Sequence, residues 1–201
     1  MIILGISCFY HDSAACILKE GEIVAAVAEE RFTRKKHDNG FPKYAIDFCL
    51  RRAGISANEV DLISFYEKPL IKFERVISQH LQHFPKSAKV YVESMGSWFN
   101  EKLQIKKLLN KEFHYCGKVV FIPHHLSHAA SVFYPSGFTK AAIVTIDGVG
   151  EWATATMGFG KDSEIKIEKE IRFPHSLGLL YSAMTTYLGF KANNDEYKVM
   201  G

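Results

Sequence analysis

A pattern of strands and turns occurs twice in this chain, and it restricts the fold more than any other feature. Residues 2–32 and 141–173 each contain an apolar strand, a turn with an acidic residue, a strand of small residues and a third strand rich in glutamate. Helical spacing of apolar residues follows both copies, over 42–54 and 175–190. The pattern therefore predicts a repeated supersecondary unit, with two unrelated three-stranded meanders as the alternative.

Between the copies, helices and strands alternate. The predicted elements are strands at 60–66 and 118–123 and helices at 70–84 and 96–113. A meander, then helix–strand–helix–strand, then a second meander is the layout of ribonuclease-H-like, actin-like ATPases. We therefore expect an α/β fold of this class, with one complete lobe at 1–138 and the beginning of a second at 139–201.

Composition excludes several classes of protein. Of 201 residues, 47% are hydrophobic and 23% are charged, which is typical of a globular chain and not of a disordered one. The net charge of +3 is too small to indicate a nucleic-acid partner. No apolar run is long enough to span a membrane. The single cysteines Cys8, Cys16, Cys49 and Cys116 predict buried thiols in a reducing, cytoplasmic environment.

The clearest sign of a functional site is a group of histidines after the strand at 118–123. A helix at 124–135 would place His124 and His128 on one face, where two imidazoles can bind one metal ion. Imidazole prefers zinc, iron, nickel or copper to magnesium. Asp147 is the nearest candidate for a further ligand, and His125 is expected to be structural. Alternatively, these histidines cap the helix or fill a partly polar interface.

Asp147 begins a turn with the sequence Asp-Gly-Val-Gly-Glu. Gly148 and Gly150 permit a tight turn and a close approach to a phosphate, while the carboxylate can bind a metal ion or orient a water molecule. An ordinary β-turn uses the same residue types, so it remains the alternative.

The corresponding turn of the first copy contains His11, Asp12 and Ser13. We expect Asp12 and Ser13 to contribute to a phosphate-binding turn, because small residues let backbone amides approach an anion. His11 can move a proton near neutral pH. A polar turn without a ligand is the alternative.

Two further polar segments have no settled role. The basic run Arg31–His37 is either a solvated loop or an anion clamp, since arginine matches phosphate and carboxylate geometry. The segment Asn193–Lys198 lies near a predicted helix end, and its residues do not distinguish a structural from a functional role.

Five ordered motifs resemble the N-terminal part of the NodU/CmcH carbamoyltransferases, and the resemblance covers essentially the whole chain. They are GISCFYHDSAACIL, EERFTRKKHDNGFP, PHHLSHAASVFYPSGF, TIDGVGEWATAT and EYKVMG. The resemblance implies an actin-like domain, related to the tRNA threonylcarbamoyladenosine-forming enzymes, and a C-terminal YrdC-like domain. It implies that the YrdC-like domain makes carbamoyl-adenylate from carbamoyl phosphate and ATP. The actin-like domain would then transfer the carbamoyl group to a hydroxyl of a natural product.

The same resemblance implies roles for individual residues. His124 and His128 resemble the metal-binding pair of the family, for which iron is the usual metal and zinc the alternative. Asp147 resembles the acid beside that metal and the nucleotide phosphate, and His11 resembles the proposed base for the acceptor hydroxyl. The rest of the second lobe, a further metal ligand and the YrdC-like domain are missing. We therefore expect the chain to fold at least partly and not to turn over alone.

Three other functions remain as alternatives. An actin-like ATPase, either a sugar kinase or a chaperone, is disfavoured because Cys8-Phe9-Tyr10-His11-Asp12 stands where such proteins usually place Asp-Gly-Thr. A tRNA-modifying enzyme of the threonylcarbamoyl type would also use a histidine pair, but the positive charge is small. A non-enzymatic binding module would merely pack the histidines. We expect a small-molecule hydroxyl acceptor and the missing YrdC-like domain as partners, with no nucleic acid and no membrane. The oligomeric state is open, with a homodimer as one alternative.

Overall fold

The first copy of the repeated pattern folds into three antiparallel strands. In a computed structural model that describes residues 1–10 and 12–201, β1 (Ile2–Ser7) pairs with β2 (Ala14–Lys19), and β2 pairs with β3 (Glu22–Ala28). The two residues between β2 and β3, Glu20 and Gly21, have φ angles of 52° and 88°. Positive φ at both positions is typical of a two-residue hairpin turn. The predicted hairpin is confirmed.

Two parallel strands complete this sheet and make it a mixed α/β structure. β4 (Leu62–Phe65) runs parallel to β1, and β5 (Lys118–Phe121) runs parallel to β4. The strand order β3-β2-β1-β4-β5 confirms the predicted ribonuclease-H-like, actin-like class. The helices of this part are α1 (Glu30–Thr33), α2 (Lys43–Ala53), α3 (Pro69–Gln82), α4 (Ala88–Ser97) and α5 (Ile105–Phe113).

The core of this part lies between the sheet and helix α2. Ile17 of β2 and Phe65 of β4 are buried together with Ile46 and Cys49 of α2. Apolar residues at this helical spacing were the reason to predict α2. The helix ends at Gly54, whose φ of 68° is the left-handed conformation that a helix-terminating glycine adopts at no steric cost.

A buried carboxylate caps the start of α2. Glu29, which follows β3, is only 3% exposed. Its two oxygens accept hydrogen bonds from the backbone N–H groups of Tyr44 (3.1 Å) and Ala45 (2.7 Å). These N–H groups have no partner within the helix, and a negative charge is favourable at a helix N-terminus. Glu29 therefore connects the end of the hairpin to the helix packed against it.

The prediction of one helix over 96–113 is wrong. The chain instead forms α4, a π-helical turn at Trp98–Lys102 and then α5. Trp98 is buried, and its ring lies 5.3 Å from the ring of Phe73 on α3. Packing between distant parts of the chain thus overrides the local helical spacing, and the wide turn lets the backbone change direction.

The second copy of the pattern also folds as predicted. β6 (Lys140–Ile146), β7 (Ala153–Lys161) and β8 (Glu164–Arg172) form an antiparallel sheet in this order. The helices here are α6 (His124–Phe133), α7 (Leu177–Tyr187) and α8 (Glu196–Met200).

The chain divides into two compact units, Met1–Ile122 and Pro123–Gly201. The sequence pattern predicts a boundary at residue 138, which would assign α6 to the first lobe. In the structure α6 belongs to the second unit, because Ala129 and Phe133 on this helix are buried against Ile143 of β6. The helix therefore completes the core of the sheet that follows it.

The cysteines differ in how deeply they are buried. All four cysteines are free, but only Cys8 and Cys49 are buried, whereas Cys16 is half-buried and Cys116 is exposed. The expectation that all four are buried is therefore wrong. Among the described residues, no helix combines the length and the apolar character that crossing a membrane requires.

We expect Glu29→Ala to lower the free energy of unfolding of the first unit by about 1–3 kcal/mol, because the variant leaves buried N–H groups of α2 without an acceptor. Glu22→Ala, which removes an exposed carboxylate from β3, is the matched control. Urea unfolding followed by circular dichroism measures both. Equal midpoints for the two variants would contradict the capping role.

Candidate metal centre

Helix α6 brings two imidazole rings together at its first turn. The Nε2 atoms of His124 and His128 lie 3.1 Å apart, and the two rings are nearly perpendicular. The helix begins directly after Pro123, whose extended ψ of 136° separates it from the preceding chain. Because residues four apart share one face of a helix, the predicted juxtaposition of the two histidines is present.

Asp147, directly after β6, completes a group of three. Its Oδ2 atom lies 2.7 Å from Nε2 of His124 and 3.5 Å from Nε2 of His128. Its Oδ1 atom accepts a hydrogen bond of 2.7 Å from the backbone N–H of Gly148. Hydrogen bonds from His124, then from His128, hold the pKa of Asp147 well below its usual range. The carboxylate is therefore ionised at neutral pH.

The three side chains fit a divalent metal ion. Bonds of about 2.05 Å place two ligand atoms about 2.9 Å apart at about 90° and about 3.3 Å apart at about 109°. The observed separations of 2.7, 3.1 and 3.5 Å bracket these values. Two imidazoles and one carboxylate are a donor set that iron and zinc accept. His128 is half exposed, so the group is open to further ligands on its side.

Glu151 fixes helix α6 to the turn that contains Asp147. Both of its carboxylate oxygens lie 3.1 Å from the backbone nitrogen of His124, whose N–H they accept. Glu151 is 8% exposed, and its charge is favourable at the helix N-terminus. The sequence patterns described above do not predict this role for Glu151. The sequence does contain a signal for this role. The helix begins after a proline and lacks a polar capping residue, and Glu151 is an acid close to Asp147 that can accept the helix N–H instead.

His125 is structural, as the sequence analysis expected. It is buried; its Nε2 atom lies 2.9 Å from the carbonyl oxygen of Ala153, and its Nδ1 atom lies 2.7 Å from the hydroxyl of Thr145. Since a carbonyl can only accept, Nε2 carries the proton. Burial lowers the pKa of His125, so the ring is neutral and Nδ1 accepts from Thr145. The bonds tie α6 to β6 and β7.

The two glycines of the turn donate backbone hydrogen bonds, and the lack of a side chain at Gly150 leaves room for His124. The backbone N–H of Gly148 donates to Asp147, and that of Gly150 donates to the carbonyl of Ala153 at 2.9 Å. Neither glycine has a positive φ. A Cβ at position 150 would lie 3.1 Å from two atoms of His124. Both amides are used inside the turn, and the phosphate-binding role stays a prediction.

The start of helix α7 supports Asp147 from the other side, a role that the sequence patterns described above do not predict. The hydroxyl of Ser176 accepts from the N–H of Leu179 and donates to the carbonyl of Gly148 at 2.7 Å. A Cβ at Gly178 would lie 2.4 Å from the carbonyl oxygen of Asp147. Only a glycine allows α7 to approach so closely. A serine two residues before a glycine at a predicted helix start was the available signal.

The turn of the first unit has a different arrangement. The Oδ1 atom of Asp12 lies 3.0 Å from Nδ1 of His37, and the backbone of Asp12 has a φ of 54°. Ser13 is completely buried, and its hydroxyl donates to the carbonyl of Gly40 at 2.6 Å. Its backbone N–H also donates to the same loop. With both donors in use, Ser13 matches the alternative of a polar turn without a ligand. His11 lies outside the described residues.

The two remaining polar segments are held by local bonds. In the basic run, Lys35 lies 3.9 Å from Asp38, and His37 contacts Asp12. An anion clamp there stays a prediction. Near the other end of the chain, Asp195 accepts hydrogen bonds from the backbone N–H of Lys191 and the ammonium group of Lys198. These bonds stabilise the start of α8, which is a structural role.

Comparisons with known proteins give a consistent result. A family model described as "Carbamoyltransferase N-terminus" matches residues 2–201. The uncharacterized protein sll1178 of Synechocystis sp. is 52% identical over 99% of this chain and 34% of its own length. Nodulation protein NolNO of Sinorhizobium fredii is 38% identical over 96% of this chain and 27% of its own length. The chain thus spans between about a quarter and a third of the length of these relatives.

Solved structures show more distant similarity. YeaZ from Pseudomonas aeruginosa has a TM-score of 0.46 and 13% identity, covering 86% of this chain and 67% of that chain. The PPX-GPPA enzyme of Aquifex aeolicus has a TM-score of 0.42 and 11% identity, covering 98% of this chain and 60% of that chain.

We expect Gly150→Ala to weaken the binding of Zn²⁺ by about tenfold, the lower end of the effect of residues that orient metal ligands. The new methyl group displaces His124, whereas Gly148→Ala makes only an ordinary contact of 3.7 Å with Leu179 and is the matched control. Isothermal titration of Zn²⁺ into the metal-free protein measures both affinities. Equal losses in the two variants would show that the position of His124 does not matter.

Proposed function

Because the chain belongs to the carbamoyltransferase N-terminus family, we propose that it is the actin-like part of an O-carbamoyltransferase. The convergence of His124, His128 and Asp147 carries the proposal, since it provides a polar centre of the kind that group transfer requires. The family match across residues 2–201 supports it. We also propose that this chain is the N-terminal part of a longer protein, and that the complete protein has the carbamoyltransferase activity.

We assign a divalent metal ion to the three converging side chains, with iron as the first choice and zinc as the alternative. Such an ion supplies positive charge that stabilises phosphate oxygens and polarises a carbonyl group. The neutral imidazoles of His124 and His128 and the anionic carboxylate of Asp147 would hold it. Glu151 and Gly150 position these residues, because they fix the start of α6 against the turn.

The proposed reaction uses carbamoyl-adenylate, made from carbamoyl phosphate and ATP by the C-terminal YrdC-like domain. The hydroxyl oxygen of a small-molecule acceptor forms a bond to the carbamoyl carbon. The bond from that carbon to the phosphate oxygen breaks, and AMP leaves with the electron pair. The hydroxyl proton passes to a base, which the resemblance assigns to His11. A neutral imidazole is suited to this role near neutral pH.

The contribution of the described residues is to keep charge and orientation ready before substrates bind. Before a metal ion binds, Asp147 stays ionised because His124, His128 and the N–H of Gly148 all favour its charged form, and a bound cation would favour the same form. The backbone at the start of α6 is fixed, since the N–H of His124 is bonded to Glu151 and the ring of His125 is bonded to β6 and β7. Groups held in this way need no reorganisation during the reaction.

The full-length protein tests the proposal when it is incubated with carbamoyl phosphate, ATP and candidate polyols. Mass spectrometry should detect an acceptor that carries one added carbamoyl group. We expect His128→Ala to remove stoichiometric metal and to lower the rate by about 10²–10³-fold, the size of effect seen when charge stabilisation is lost. His83→Ala, an exposed histidine after α3, is the matched control and should retain both.

Other outcomes would replace the proposal. Phosphate transfer to a sugar without carbamoylation would indicate a kinase, and tRNA modification that requires His124 would indicate a threonylcarbamoyl-type enzyme. Full activity of His128→Ala together with unchanged metal content would exclude the three-residue centre. Native circular dichroism of the variant distinguishes loss of the metal from loss of the fold.

A further inference from the structure

The first unit contains a cavity that the carbamoyl-transfer proposal does not use. Its volume is about 570 Å³, within the range of about 300–1,000 Å³ typical of small-molecule sites. The cavity lies between the start of α3, the chain that leads into α5, and the end of β5. Its apolar wall is formed by Pro69, Leu70, Ile71, Leu103 and Phe121.

The charged residues that line this cavity are all lysines. Lys68, Lys102, Lys106 and Lys107 line it, and no aspartate or glutamate does. Within the described part of the chain, Lys102, Lys106 and Lys107 form no ion pair with a carboxylate. The nearby Lys72 differs, because its ammonium group lies 2.5 Å from the carboxylate of Glu67 and both groups are largely buried.

Two helix N-termini add to this positive charge. Helices α3 and α5 both begin at the cavity, and neither has an acidic residue in its first turn or a side-chain cap. The first N–H groups of a helix carry partial positive charge, so lysines are unfavourable there. Lys106 and Lys107 nevertheless lie in the first turn of α5. The arrangement concentrates positive charge against an apolar wall.

Lys102 is a partly buried lysine of this cavity. Burial, and secondly the charge of Lys72, lower the pKa of Lys102, while Glu67 and Glu101 act in the opposite direction. Its ammonium group lies 4.8 Å from the centre of the Trp98 ring. An anion in the cavity would stabilise the charged form of Lys102, because opposite charge is most effective where water is partly excluded.

We propose that this cavity binds a small amphipathic anion, in which an apolar body carries a carboxylate or a phosphate group. The lysines and the helix starts select the negative group, and the apolar wall accepts an alkyl or aromatic body. A neutral molecule of the same shape would gain only the apolar contacts. A cation would be repelled. The proposal depends on the first unit alone and not on the reaction proposed above.

Four ligands of equal chain length test this selectivity on the full-length protein. Isothermal titration compares octanoate, octyl phosphate, octanol and octylammonium below their micellar concentrations. We expect one octanoate or octyl phosphate per chain, with octanol at least about tenfold weaker, since charge-assisted contacts are lost. The stronger of the two anions identifies a carboxylate or phosphate ligand. Equal binding of octanol and the anions would overturn the proposal. Absence of binding by either anion would also overturn it, including the case in which another segment of the protein fills the cavity.

Charge-reversal variants locate the binding. Lys106→Glu combined with Lys107→Glu should weaken octanoate by more than about tenfold and leave octanol unchanged. Acidic residues are favourable in the first turn of a helix, so this variant should fold. Lys89→Glu makes the same kind of change at an exposed position of α4 and is the control. Leu70→Trp, at a residue 72% exposed, should reduce the binding of both ligands by filling the cavity. Unchanged octanoate affinity in the double variant would refute the site.

Discussion

The contact between the turn after β6 and the start of α6 is the interaction on which the candidate site depends. One residue of the turn, Asp147, lies against the imidazole of His124, and another, Glu151, accepts the backbone N–H of the same histidine. The helix start is thus held through both its main chain and its side chain. The position of His128 is fixed as a consequence, because it lies one turn after His124 on the same rigid helix.

Buried hydrogen bonds contribute to the stability of the second unit, because its apolar core is small. Only Ala129, Phe133 and Ile143 are fully buried in its hydrophobic cluster. The chain of hydrogen bonds from Thr156 through Thr145 to His125 lies next to that core and joins α6 to two strands. Buried polar groups stabilise a structure when each of them has a partner, and here they do. Fold stability and site geometry therefore rest on the same residues.

Helix N-termini in the first unit are treated in two opposite ways. At α2, the buried carboxylate of Glu29 accepts the first N–H groups and neutralises the positive end of the helix. At α3 and α5, no acid is present in the first turn, and lysines surround the cavity between them. The first arrangement is typical of a structural element that needs no ligand. The second leaves the positive end of each helix without an acid in its first turn, and an anionic group can bind at such a helix start.

Local patterns were sufficient for the strands of both repeats, for α2 with its terminating Gly54, and for the pairing of His124 with His128, since these depend on spacing along one element. They were not sufficient for the break between α4 and α5, which arises from the packing of Trp98 on Phe73. Neither were they sufficient for Glu151, Ser176 and Gly178, whose roles are contacts with distant backbone. Periodicity reports which face of an element is buried. Which residues meet across elements is decided only when the chain is folded, because those contacts depend on distances that no local pattern contains.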